Sequence, residues 1–275
     1  MNTLKVLALA LTTQFGLAQT RGLIHKIPKN ENVIRTYNTG TPSGKLSQSD
    51  EFKIVVWNMY KGENESWESD FKNLASDANL VIAQEMRLDG RMQNVFKNFG
   101  DFEYATATSF YLYKKTRTGV ATISDTVSTS KKFIRSKNKE PVVLTPKVVL
   151  ITKYPLANGE ELLVANIHAI NFVSAQKLRR QVDTIAREIR DHKGPAIFAG
   201  DFNTWTNKKL SYVRTINKMV GLTEVEFTGK DDRMTFMGNK LDYIFYRGLT
   251  LNSAKVLGEI QGADHKPLVA TFSLN

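Results

Sequence analysis

The chain has 275 residues, 41% of them hydrophobic, enough to bury a sizeable core as one large domain or two small ones and too apolar for a disordered chain. Its 38 Lys and Arg outnumber 27 Asp and Glu, a formal charge of +11 that favours polyanionic partners such as nucleic acid or an acidic lipid surface. No cysteine is present, which excludes disulfides, thiolate zinc sites and cysteine nucleophiles; any metal must sit on oxygen or imidazole.

Residues 1–18 read as an export signal: Lys5, the apolar stretch Val6 to Leu11, then Gly16-Leu17-Ala18, suited to cleavage after Ala18. The alternative is a retained, membrane-associating N-terminus. No later stretch reaches the ~20 apolar residues of a spanning helix, so the expected location is periplasmic or secreted. Residues 19–51, with Pro28, Gly40, Pro42 and Gly44 and no periodicity, predict an extended arm, with order beginning near Phe52. Strands are predicted at Lys53 to Trp57, Leu80 to Ala83, Tyr104 to Thr108, Gly119 to Ile123, Val148 to Lys153 and Glu161 to Ile167. Further strands are predicted at Ala196 to Ala199, Leu241 to Tyr246, Leu249 to Gly258 and Leu268 to Phe272. Helices are predicted at Asp70 to Asp77, Arg91 to Phe99, Lys208 to Met219 and, most clearly, Val173 to His192, where Leu178, Val182, Ile185 and Ile189 share a face. This mixture predicts an α/β domain over 52–275, a four-layer sandwich with two central, mostly antiparallel sheets flanked by helices.

The chemistry is concentrated where apolar runs end. Ala196 to Ala199 leads into Gly200-Asp201-Phe202-Asn203, and the same placement recurs at Trp57-Asn58, Gln84-Glu85, Asn166-Ile167-His168, Leu241-Asp242 and Asp264-His265. Open α/β sheets keep their sites at such strand ends. Each station alone could be an ordinary cap or Asx-turn; six of them converging point to one site. Glu85, with Asn58, offers the oxygen ligands that Mg²⁺ or Mn²⁺ prefers. Asp264 adjoins His265, and Asp242 follows a strand that can lie beside it, so a carboxylate could hold the imidazole tautomer while the ring handles a phosphate or a proton. Asp201 is then free to activate water or bind metal, with Asn203 donating its amide to a phosphoryl oxygen.

In order and spacing these stations resemble the endonuclease/exonuclease/phosphatase superfamily, the fold typified by DNase I and the exonuclease III type of abasic-site nuclease. The resemblance covers roughly residues 52 to 274, and the phrases VVWNMYKG, NIHAINF, AGDFNTW, LDYIFYRG and ADHKPL are similar to its YafD-like subgroup. It implies metal-dependent phosphoester chemistry with Mg²⁺, Mn²⁺ or Ca²⁺ as cofactor. It implies Glu85 as principal metal ligand, Asn58 as its neighbour and Asp264 as a second acidic group near the ion. Asp201 matches the residue that orients or deprotonates water, Asn203 the phosphate-binding amide, His265 the phosphate-contacting histidine and Asp242 its orienting carboxylate. His168 falls where DNase I-like enzymes carry a second catalytic histidine, and Asn171 matches a further phosphate-proximal amide. Lys147 is either a solvated surface residue or a cation aimed at phosphate.

The mechanism this implies is in-line attack of water on a phosphodiester. For substrate, Lys114, Lys115, Arg117, Lys131, Lys132, Arg135, Lys137 and Lys139 form a basic segment, expected between strands, that suits a nucleic-acid backbone or is simply a solvated loop. Phe110 to Tyr113 could stack bases, enter a lipid interface or form a buried strand. An endonuclease acting on DNA or RNA leads. A phospholipase of the sphingomyelinase type and a non-catalytic polyanion-binding module are the alternatives. No protein partner is implied, and a monomer is expected.

Overall fold

The computed structural model describes residues 25–46, 51–113, 115–141 and 143–275; the export signal expected over 1–18 lies outside them. The first strands are β1 (Ile34–Asn38), β2 (Glu51–Asn58), β3 (Leu80–Leu88), β4 (Glu103–Leu112), β5 (Thr116–Ser124) and β6 (Ser130–Arg135). There follow β7 (Val148–Pro155), β8 (Glu161–His168), β9 (Ala196–Asp201), β10 (Thr223–Glu224), β11 (Thr235–Phe236) and β12 (Asn239–Lys240). The last are β13 (Asp242–Arg247), β14 (Leu249–Val256) and β15 (Leu268–Leu274). The α-helices are α1 (Trp67–Ser76), α2 (Gly90–Asn98), α3 (Ala175–Asp191) and α4 (Asn207–Met219).

Side-chain alternation explains the layers. In β2, Ile54 and Val56 join one apolar cluster and Val55 and Trp57 another; in β9, Ile197 and Ala199 share the first while Ala196 and Phe198 enter a third. Strands apolar on both faces must be covered on both. Two sheets therefore pack face to face, α1 and α2 cover the first through Trp67, Phe71, Met92 and Phe96, and α3 and α4 cover the second through Leu178, Val182, Val213 and Ile216. The first sheet has the order β1-β4-β5-β3-β2-β15-β14 and the second β10-β13-β9-β8-β7-β6. Each contains one parallel pair, β2 with β3 and β8 with β9, and is otherwise antiparallel. A parallel pair needs a crossover, supplied by α1 in one sheet and α3 in the other. The expected four-layer sandwich is the fold.

Three features differ from the expectation. The arm contributes β1, which pairs with β4 at the sheet edge, and Leu46 is fully buried between the sheets, so order begins before Phe52. Lys131, Lys132 and Arg135 lie on β6, paired with β7, not on a connecting loop; alternating polar residues on an exposed edge strand hid it. Finally, β3 does not stop at Ala83. It runs on to Leu88 through a bulge between Ala83 and Met86.

Candidate active site

Strand register lines up three of the expected residues. His168, at the end of β8, pairs with Asp201 at the end of β9, which pairs with Asp242 at the start of β13. Gly200 allows this close approach: its φ is +135°, and a Cβ there would lie 2.0 Å from the Ile167 carbonyl oxygen. The chain then turns at Asn203, φ +49°, whose backbone N–H donates to Asp201 Oδ1 at 2.9 Å. The Asn203 side-chain amide donates to the Ala169 carbonyl at 2.9 Å, leaving one of its two N–H donors for a ligand.

His265 closes the row from the other sheet's side, in the loop before β15. Its Nδ1 lies 2.7 Å from Asp242 Oδ2, both side chains are buried, and its backbone carbonyl accepts the Trp57 indole N–H at 3.1 Å. Burial alone would lower the imidazole's pKa, but the charges of Asp242, Asp201 and Asp264 hold it up to about 10, so the ring is an imidazolium at neutral pH. Asp201 goes the opposite way. Burial and the Asp242 charge push it up to about 7, against the pull of His265. His168 Nε2 is 3.7 Å from Asp201 Oδ2; burial and the Lys147 charge hold it well below the usual histidine range despite Glu85, so it is neutral. Asp264 is exposed, with Oδ1 accepting the His265 backbone N–H at 3.0 Å.

The first sheet contributes Asn58 and Glu85. Asn58, at the end of β2, donates to Asp201 Oδ2 at 3.2 Å, a contact between the two sheets. The β3 bulge brings Glu85 to the same end: Ala83 and Met86 both join the helix-side cluster, so one extra residue has been inserted and Glu85 takes φ +55°. Beneath it, Gln84 donates to Asn166 Oδ1 at 2.8 Å and Asn166 donates to the Ala121 carbonyl at 2.8 Å, tying the sheets together through two fully buried amides. Glu85 itself pairs with Lys61, Nζ to Oε2 2.5 Å. Burial would raise its pKa, yet Lys61, His168 and Lys147 together hold it well below the usual carboxylate range.

Among the described residues, the only group of three acid or imidazole side chains whose ligand atoms lie within 4.8 Å of one another is Asp201, Asp242 and His265. Glu85 and Asp264 do not join it. Lys147 is not a solvated lysine: its side chain is 14% exposed and pairs with Glu140 at 3.5 Å. Asn171 sits in the same network, its backbone N–H on Glu140 Oε1 at 3.0 Å and its side-chain oxygen accepting from Trp205 at 3.0 Å.

The sequence reading missed Lys61, Glu140, Trp205 and Lys209. Lys209 is 1% exposed, with its ammonium 3.9 Å above the Trp205 ring and 3.5 Å from the Asn203 carbonyl. A signal was present: Lys209, Val213 and Ile216 share the apolar face of α4, where a lysine is out of place. The basic segment is largely committed to structure, since Lys131 pairs with buried Glu103, Lys132 with Glu188, and Arg117 bonds the Asn32 carbonyl. Lys137 and Lys139 stay exposed in the loop after β6.

The sequence profile of the Endonuclease/Exonuclease/phosphatase family matches residues 55–265, from β2 to the histidine that closes the row. The chain belongs to that family. A UPF0294 protein of Vibrio campbellii is 34% identical over 232 residues, 84% of this chain and 80% of that protein. A functionally unknown conserved protein from Enterococcus faecalis shares the fold with TM-score 0.63 at 18% identity, over 82% of this chain and 100% of that one. An endonuclease/exonuclease/phosphatase from Beutenbergia cavernae does so with TM-score 0.62 at 15% identity, over 82% of this chain and 72% of that one. The family is one of phosphoester hydrolases, and every residue of the polar row lies inside the matched span.

Proposed function

We propose that this family member is a divalent-metal-dependent phosphodiester hydrolase, an exported endonuclease acting on DNA or RNA. The observation that carries the reading is the buried His265 ring, clamped on Asp242 at 2.7 Å, in one row with Asp201 and His168. A fixed positive charge in a low-dielectric setting stabilises the charge that develops on non-bridging phosphoryl oxygens. Asp201, raised to about 7, is suited to take a proton from the attacking water near neutral pH. Neutral His168 and the remaining amide proton of Asn203 supply further donors. Water is the nucleophile, entering in line with the leaving oxygen, with no covalent intermediate.

The donor set fits a hard divalent ion. Glu85 is held ionised, Asn58 carries a side-chain oxygen, and Asp264 adds an exposed carboxylate. Glu85, Asn58 and the exposed Asp264 would hold Mg²⁺, or Mn²⁺ or Ca²⁺ in its place. Bound there, it would supply positive charge to offset the negative charge that develops during phosphoryl transfer.

A sphingomyelinase-type phospholipase is the second reading. It is favoured by exposed Met237, which adjoins Phe236 in a half-buried aromatic group whose ring centres lie 6.1 Å (Phe236) and 6.4 Å (Phe172) from that of Trp205. Purified protein incubated with plasmid DNA, RNA and sphingomyelin, each with and without EDTA, tests both. EDTA-sensitive cleavage of DNA or RNA is the expected result. Turnover of sphingomyelin alone would transfer the reading to lipid, and binding without turnover would make the protein a polyanion-binding module. N-terminal sequencing of protein from the extracellular or periplasmic fraction tests export, with a start near Gln19 expected.

A further inference from the structure

We propose that Lys61 is a second catalytic cation: it neutralises Glu85 until a divalent ion takes that carboxylate, and its ammonium then turns to the phosphate of the substrate. The inference rests on the metal-dependent phosphodiester reading above and adds a residue that reading does not use. The Lys61 ammonium lies 2.5 Å from Glu85 Oε2. Its placement is built, not incidental. Tyr60 and Lys61 both take left-handed backbone, φ +47° and +55°, a conformation L side chains avoid. The turn is braced by a candidate ligand and by the neighbour of another: Asn58 Oδ1 accepts the Tyr60 N–H at 3.2 Å, and the carbonyl of Gln84, next to Glu85, accepts the Met59 N–H at 3.0 Å. Beyond it, the Arg91 guanidinium donates to the Gly62 and Asn64 carbonyls.

An ammonium in contact with a carboxylate oxygen and a divalent cation on the same group repel each other strongly in a half-buried setting. They therefore compete for Glu85. The Lys61 side chain is 35% exposed against 20% for Glu85, so the lysine has room to swing while the carboxylate stays. Once displaced, it is a cation at the mouth of a site already carrying His265 and Lys147, and a phosphate dianion or diester is the partner whose charge it meets. Metal and phosphate should consequently bind with positive coupling, since each relieves the charge the other leaves.

The test is Mn²⁺ titration by calorimetry of the native chain, K61M, K61R and E85Q, each with and without inorganic phosphate, together with kcat on a small chromogenic phosphodiester at saturating metal. K61M should bind Mn²⁺ alone about tenfold or more tightly than the native chain, because a competing charge has gone. It should also lose the gain in affinity that phosphate gives the native chain, and show a depressed kcat. K61R, which keeps the cation, should stay near native in all three. Folded K61M with unchanged or weaker Mn²⁺ affinity overturns the exchange; should K61M not fold, K61Q carries the same readings. Abolished uptake in E85Q beside an unaltered K61M refutes the role of Lys61 alone. No Mn²⁺ uptake by the native chain refutes the metal-dependent reading and the exchange with it.

Discussion

Replacing Asp242 by Asn removes one charge from the buried pair with His265 and nearly preserves shape. The side chains are 4% and 9% exposed, so solvent screens the pair little. Burial works against the imidazolium, and Asp242 is the first of the charges that overcome it, holding the ring at about 10 against an ordinary 6.5. A folded-state pKa above the unfolded value means that the folded chain keeps a proton the unfolded chain has released. The resulting stabilisation is fully present below pH 6.5 and is lost as pH rises through about 10. At about 1.4 kcal/mol for each unit of pKa difference, it is on the order of 5 kcal/mol at low pH and about 3 kcal/mol near pH 7.5. Asp242→Asn should forfeit most of this, less whatever is regained by relieving the repulsion that raises Asp201. Urea unfolding of both proteins in EDTA at about pH 6, 7.5 and 10 measures the difference directly. The deficit should be largest at the lowest pH and nearly vanish at the highest. A deficit independent of pH, or one below about 1 kcal/mol at pH 6, would show that the pair does not carry the charge assigned to it.

Three further outcomes are expected. The pH profile of kcat/KM should rise through about 7 as Asp201 loses its proton and fall through about 10 as His265 does, and Asp242→Asn should bring the alkaline limb down; a profile flat from pH 6 to 9 removes Asp201 as the base. Gly200→Ala sets a Cβ 2.0 Å from the Ile167 oxygen at φ +135°, so thermal unfolding should show a loss of about 2–4 kcal/mol, and a loss under about 1 kcal/mol would mean that β8 and β9 have slack. Reversing the exposed Lys137 and Lys139 to Glu should flatten the dependence of log DNA affinity on log salt by about 0.9 for each phosphate these lysines neutralise, while turnover of a small chromogenic phosphodiester holds; an unchanged slope places the nucleic-acid path elsewhere.

Much of the site was written locally in the chain. An apolar run that breaks into Asp, Asn or His marks a strand end, and this picked out Asn58, His168 and Asp201, because a strand's side-chain period is set by its own residues; Asp242 and His265, expected at strand ends too, instead stand at the start of β13 and before β15. The helices and the two-sheet class followed from the same periodicities. What the chain could not express locally was pairing across distance. The contact of Asn58 with Asp201 spans 143 positions, and Lys61 meets Glu85 across 24. The β3 bulge, which turns Glu85 off the helix-covered face, is defined by slippage against β5 and leaves no mark in a period-two pattern. Protonation was decided there too. His168 and His265 are both buried histidines at the same site, yet one is neutral beside Lys147 and the other charged against Asp242, because burial removes water as the common partner and leaves each ring to whichever charge the packed sheets bring next to it.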